Sequence, residues 1–258
     1  MTISYSSNSS GSQTGQDVVI YRQPQTLAAD DLILGLIVNK YPTNGPNTPT
    51  GMTLVDQQIV GDGEAPAADK GDAYITVYKR VSDGTEDDAT EFVSITSGNT
   101  CISRSVSYSR SGGSGWDVAT AYGSQGTASS SWSITTGSLD LAAGDVVVVF
   151  IGKNCDIDPT HSSHGLSASG ITFGSFTNRG GPTHTTQGDD CGYQIGDFEV
   201  TAGSGTVACT FTMSLSGTAG MASGGVMLVR LRESGGGGGG FQVAWAANAN
   251  TMIQGSLQ

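Results

Sequence analysis

An internal repeat constrains this 258-residue chain more than any other feature. Leu27-Ala28-Ala29-Asp30-Asp31-Leu32-Ile33-Leu34-Gly35-Leu36-Ile37 returns 114 residues later as Leu141-Ala142-Ala143-Gly144-Asp145-Val146-Val147-Val148-Val149-Phe150-Ile151. Gly51-Met52-Thr53-Leu54 is answered by Gly170-Ile171-Thr172-Phe173 at a spacing of 119. At that same spacing, 74–81 matches 193–200 and 92–98 matches 211–217. Self-similarity at a nearly fixed period marks a structural unit used more than once. Almost nothing that looks catalytic recurs in both copies, which argues against a single enzyme active site.

The residue types say what kind of unit this is. Charged residues make up only 13% of the chain and there are 39 glycines, so long helices lack their usual surface residues while short strands with tight turns are well served. Tyr74-Ile75-Thr76-Val77-Tyr78-Lys79 alternates with the period of two of a half-buried strand. Strands are expected over 31–39, 53–60, 73–81, 91–95 and 102–109, with a first one near 17–21. The second unit should place them at 146–152, 171–178, 193–200, 207–215 and 226–231. Turn signals such as Asp83-Gly84 bound them. The expected fold is therefore all-β: two tandem antiparallel β-sandwich domains from an internal duplication, jelly-roll or immunoglobulin-like, with extended N- and C-terminal arms. The expected division is an N-terminal arm at 1–25, a first sandwich at 26–110 and a Gly/Ser/Trp bridging segment at 111–133. A second sandwich at 134–232 and a glycine linker with an apolar anchoring arm at 233–258 complete it.

A formal net charge of −12 repels nucleic acid. No apolar run reaches 18 residues, so no membrane span is expected. The polar, Ser-rich start has no basic cap before an apolar stretch, so no signal peptide is expected and the chain reads as one made in the cytosol. Glu86-Asp87-Asp88-Ala89-Thr90-Glu91 lacks the Asp-x-Asp-x-Asp-Gly spacing of a calcium loop and reads as a solvated acidic turn.

Three groups of residues are candidates for function. At the C-terminus, Phe241, Val243 and Trp245 alternate, and Met252 and Ile253 follow in a segment without charge, tethered by the glycines 235–240. Such a segment needs something to pack against, either its own domain or a neighbour. In the bridge, Trp116, Tyr122 and Trp132 suit either a sugar-stacking platform or the seal between two domains. In the second unit, Cys155, His161, His164, His184 and Cys191 crowd one region. They fit a zinc site, a Cys155–Cys191 disulfide, or neither. Cys101 and Cys209 read as buried apolar thiols. Hydrolase signatures fail: Ser114 stands in a plain Gly113-Ser114-Gly115 stretch, and the run 235–240 lacks the Lys-Ser/Thr of a phosphate loop. No cofactor is expected.

Each unit opens with Leu-Ala-Ala-Gly/Asp-Asp into an apolar strand. It continues with Gly-x-Thr-Leu/Phe, a Tyr-bearing strand, a Phe-bearing strand with a Ser-Gly turn, and a final apolar strand ending in Arg. Over 27–110 and 134–232 this resembles the β-sandwich modules of virion accessory proteins of tailed bacteriophages: head decorations, fibres and minor tail components. The Cys/His-bearing loop departs from that pattern. The resemblance implies a non-enzymatic virion protein, a capsid decoration or cement subunit whose arms reach other virion proteins and copies of itself. The alternative is an adhesin or tail-fibre module that binds a host-surface glycan.

Overall fold

The computed structural model describes residues 2–9, 11–14, 18–40, 45–61, 72–94, 100–154, 160–184, 191–216 and 222–235. They form strands and turns with no helix among the described residues. The first nine strands are β1 (Ile3–Asn8), β2 (Ser12–Thr14), β3 (Val18–Arg22), β4 (Leu32–Lys40), β5 (Thr53–Val60), β6 (Ala73–Val81), β7 (Thr90–Ser94), β8 (Cys101–Arg110) and β9 (Gly115–Ser129). The other eight are β10 (Ser131–Ala142), β11 (Val146–Asn154), β12 (Thr160–Ser167), β13 (Thr172–Phe173), β14 (Thr177–His184), β15 (Cys191–Ala202), β16 (Ser204–Ser216) and β17 (Ala222–Ser234). All pairings are antiparallel.

Two large sheets run in the orders β1-β8-β4-β6-β5 and β9-β17-β11-β15-β13, with β2 added to β8 and β14 to β15. Two smaller sheets, β3-β7 and β10-β16-β12, lie on their outer faces. The repeated motifs make the same turns. In the first, Ala28 N–H donates to Asp31 Oδ2 (3.1 Å) and Asp30 takes φ +73; in the second, Ala142 N–H donates to Asp145 Oδ2 (2.8 Å) and Gly144 takes φ +92. An Asp side chain that bonds its own backbone stabilises such a turn, and Gly and Asp are the residues that tolerate the left-handed position. Gly51 and Gly170 both stand at φ +73 before the next strand.

The order of layers is small sheet, large sheet, large sheet, small sheet. Leu34, Leu36, Ile75 and Val106 of the first large sheet share one core with Val148, Phe150, Ile195 and Val229 of the second. The opposite faces pack outward: Ile33, Ile37 and Tyr78 against Val19, Tyr21 and Val93 of β3-β7, and Val147, Val149 and Phe198 against Trp132, Ile134 and Phe211 of β10-β16. β4 and β11 are buried on both faces along their whole length, which is why they read as unbroken apolar runs instead of alternating. Gly152 lets the two large sheets approach, since a Cβ there would lie 2.6 Å from Ile75 Cγ1.

Two segments expected to lie outside the sandwiches are built into the sheets. β1 pairs along β8 from Ile3↔Arg110 to Asn8↔Val106, and β3 pairs with β7, so most of 1–25 is sheet and not a free arm. β9, expected as a bridge, pairs with β17 from Gly115↔Ser234 to Ser129↔Ala222. Gly, Ala and Ser have little strand preference of their own, and it is the hydrogen-bonded ladders to β8 and β17 that hold these segments extended.

Candidate functional site

Where the two large sheets part beside β1, a cleft of about 430 Å³ opens between β1 and the start of β14. Its polar centre joins the two halves of the chain. Arg179 Nε and Nη2 donate to Asp197 Oδ2 (2.7 Å) and Oδ1 (3.1 Å), and Tyr108 Oη donates to Asp197 Oδ2 (2.8 Å). The Arg179 guanidinium lies over the Tyr5 ring, 4.4 Å from its centre. Asn8 Nδ2 donates to Tyr5 Oη (2.7 Å) and to the Arg179 carbonyl (2.8 Å), while Arg104 Nη2 donates to Asn8 Oδ1 (2.9 Å). The ladder between β14 and β15 shifts register at Asn178/Gly180 and again at Gly180/Thr183, and a bulge of this kind re-aims a side chain. The turn-forming Asn178, Gly180 and Gly181 within β14 are the local cause.

Burial, followed by the Asp197 charge, holds the Tyr108 phenol well above its ordinary pKa. Burial would lower the pKa of Arg179, but the hydrogen bond and charge of Asp197 outweigh it and raise it. Around neutral pH neither group exchanges a proton. This arrangement suits a clamp between two sheets better than an acid–base pair, because each ionised group already faces its partner.

The histidines form a second polar cluster, on the outer side of the second large sheet. His161 Nδ1 and His164 Nε2 lie 2.7 and 2.8 Å from the same Gln194 Oε1, so both donate and the remaining nitrogens carry the lone pairs. His164 stacks on Phe176 with centroids 4.1 Å apart and planes 10° apart. Burial first, and then the Lys153 ammonium, push His161 down to about 3; burial also lowers His164. Both rings are therefore neutral at pH 7.

Of the residues expected to hold a metal, His161 and His164 come together. Cys191 does not join them: it is fully buried in the core between the large sheets, with its Sγ 3.8 Å from the Val38 carbonyl. Cys191 and Gln194 are three apart on β15, and side chains that alternate along a strand send them to opposite faces. Cys155 and the side chain of His184 lie outside the described residues, although His184 itself stands opposite Gly192 in the β14–β15 ladder. No group of three or more His, Cys, Asp or Glu among the described residues could hold a metal ion. Cys209 is a buried free thiol whose burial lifts it to about 11.

The three aromatic residues of 111–133 do not form one platform. Trp132 is 1% exposed, in the core beneath β10-β16. Trp116 packs instead against the core between the large sheets, where its Nε1 donates to the Asp30 carbonyl (2.9 Å). Only Tyr122 is well exposed, at 44%. Trp116 thus joins β9 to the turn of the first repeat, as an interface seal would. Phe241, Val243, Trp245, Met252 and Ile253 lie outside the described residues.

Sequence reasoning missed Tyr5, Tyr108, Arg179 and Asp197, because they converge only when β1, β8, β14 and β15 assemble. The run Asn178-Arg179-Gly180-Gly181-Pro182 within β14 was the one local signal, since glycine in a strand marks a bulge. Compared with known proteins, the chain matches no family model, no curated protein and no solved structure.

Proposed function

We propose that this chain is a non-enzymatic structural protein of a tailed-bacteriophage particle, a decoration or cement subunit at its surface, made of two copies of one β unit. The observation that carries the reading is the use of its ionisable groups. In the cleft, Arg179, Asp197 and Tyr108 satisfy one another across the two large sheets, and at the far layer His161 and His164 share Gln194. These groups hold layers together, which is what a subunit under mechanical and assembly load requires. The matched strand orders and the paired turns at Asp31 and Asp145 support descent from one duplicated unit. Its partners would be major capsid or tail proteins and further copies of the chain, with the segment 236–258 as an anchor.

The test is sedimentation of assembled particles on a density gradient, with the chain followed by antibody. The chain should travel with the particles, and removal of 236–258 should abolish incorporation while the circular dichroism melt stays unchanged. A chain that remains at the top of the gradient overturns the reading.

A further inference from the structure

The two outer sheets cover similar cores but present different surfaces. On β3-β7, Phe92 is 74% exposed and Val18 36%, with Ile20 half-buried. Ile20 stands directly opposite Phe92 and Val18 two residues along the same strand, so all three share the outward face. On the first large sheet, Leu54 and Ile59 of the edge strand β5 are opposite Tyr78 and Tyr74 and therefore project from the side on which β3-β7 packs. They are 46% and 43% exposed. At corresponding outward positions, β10 and β16 carry Ser131, Ser133, Thr135, Thr212 and Ser216. A hydroxyl face therefore suffices for this fold, and the stability of the sheet does not call for an exposed phenyl ring. Apolar groups gathered on one surface point to a partner.

We propose that the β3-β7 face is the docking site for the segment 241–253 of a second copy of this chain. The proposal rests on the assembly reading above. Three observations select the occupant. First, 241–258 contains no charged residue, and Phe241, Val243 and Trp245 supply large apolar side chains for a face of the same character. Second, the outer edge of β3 and the Ser94 end of β7 are already engaged, which favours a segment lying across the exposed face over one that extends the sheet. The Ile20 and Arg22 carbonyls accept from Ser103 and Ser105 Oγ (2.6 Å each), and the Ser94 carbonyl accepts from Asn47 N–H (3.0 Å).

Third, reach favours a neighbour over the same molecule. The chain passes Gly235 at the end of β17, in the second large sheet, and β3-β7 lies two layers away. Stacked sheets are about 10 Å apart, which puts the face about 20 Å off across the layers alone. Six glycine residues have a root-mean-square span of about 13 Å and reach about 20 Å only when fully drawn out. A face on an adjoining copy carries no such restraint. Each copy then offers one face and one segment, a head-to-tail contact.

Sedimentation velocity of the purified full chain tests this, with Phe92→Ser and Trp245→Ser as variants. The unaltered chain should associate with rising concentration. Each variant should sediment as a monomer, its dissociation constant raised at least about tenfold. An equimolar mixture of the two should form dimers and nothing larger, since it holds one intact face and one intact segment per pair. An unaltered chain that stays monomeric, a Phe92→Ser chain that associates like the unaltered one, or a mixture that stays monomeric each overturns the proposal. Because Phe92 is exposed, an unchanged thermal melt of Phe92→Ser separates lost docking from lost folding. Association that depends on Phe92 and Trp245 in a chain absent from particles would sink the particle reading and leave this contact standing.

Discussion

The outer sheets β3-β7 and β10-β16-β12 differ in what they owe to the core and what they owe to the surroundings. Inward, both follow the same rule, with alternate residues buried: Val19 and Tyr21 on one side, Trp132 and Ile134 on the other. Outward, the first carries Val18, Ile20 and Phe92, whereas the second carries rows of Ser and Thr, two of which touch at Thr135 Oγ1···Thr210 Oγ1 (3.3 Å). The inward faces are fixed by packing density, so they resemble each other. The outward faces are free to differ, and their difference records what each side meets.

Between these layers, the halves are one body because they share a core. This gives the largest expected effect. Phe150→Ala in the second half should cost about 3–5 kcal/mol, and Leu36→Ala in the first about 2–5 kcal/mol. Either should shift a single calorimetric transition to lower temperature. Two transitions, with only one displaced by each substitution, would show that the halves unfold independently and would break the picture of a common core.

How much of this was legible in the sequence follows from which forces are local. The turns of the two Leu-Ala-Ala motifs and the strands after them were readable, because Asp31, Asp145, Gly51 and Gly170 act within a few residues of themselves. The face-to-face stacking of the large sheets also left a trace: Val146 through Ile151 are apolar without alternation, which an antiparallel strand with one wet face does not need. β1 and β9 were not readable as strands, since Ser, Gly and Ala have little preference of their own and are held by β8 and β17. The cleft left only the glycine-interrupted run 178–182 as a trace, for Tyr5 and Asp197 meet only when four separate strands assemble.

Next in size is the clamp across that cleft. Asp197→Asn leaves Arg179 without its bidentate partner and should cost about 2–3 kcal/mol, below the range for fully buried pairs because the Arg179 side chain is 23% exposed. Replacing both residues by Arg179→Met and Asp197→Leu should cost less than the sum of the single changes, measured by chemical denaturation. Simple additivity would mean that the two side chains stabilise the sheets separately.

The histidine cluster adds a dependence on pH just below neutrality, in the half that holds all three histidines of the chain. The folded-state pKa of His161, at about 3, lies below its ordinary value of 6.5, so the unfolded chain binds the proton more readily. Stability is then full above pH 6.5 and falls as the pH drops toward 3. Between pH 7.5 and pH 5 the loss should be on the order of 2 kcal/mol, at no more than about 1.4 kcal/mol per unit. His161→Gln should flatten this slope in urea melts across that range. An unchanged slope would place the acid sensitivity elsewhere.

The smallest effect on stability tests the comparison most directly. Phe92→Ser and Thr212→Val each alter an outward position of one small sheet. Both should leave unfolding within about 0.5 kcal/mol of the unaltered chain, because neither side chain supports the core. Val19→Ser, one position along β3 from Ile20 but facing inward at 0% exposure, should cost several times more, since it leaves a hydroxyl among Ile33, Ile37 and Tyr78. If Phe92→Ser proved as damaging as Val19→Ser in denaturant melts of dilute protein, the ring would be serving its own fold. The contrast between the two outer faces would then be one of packing and carry no message about partners.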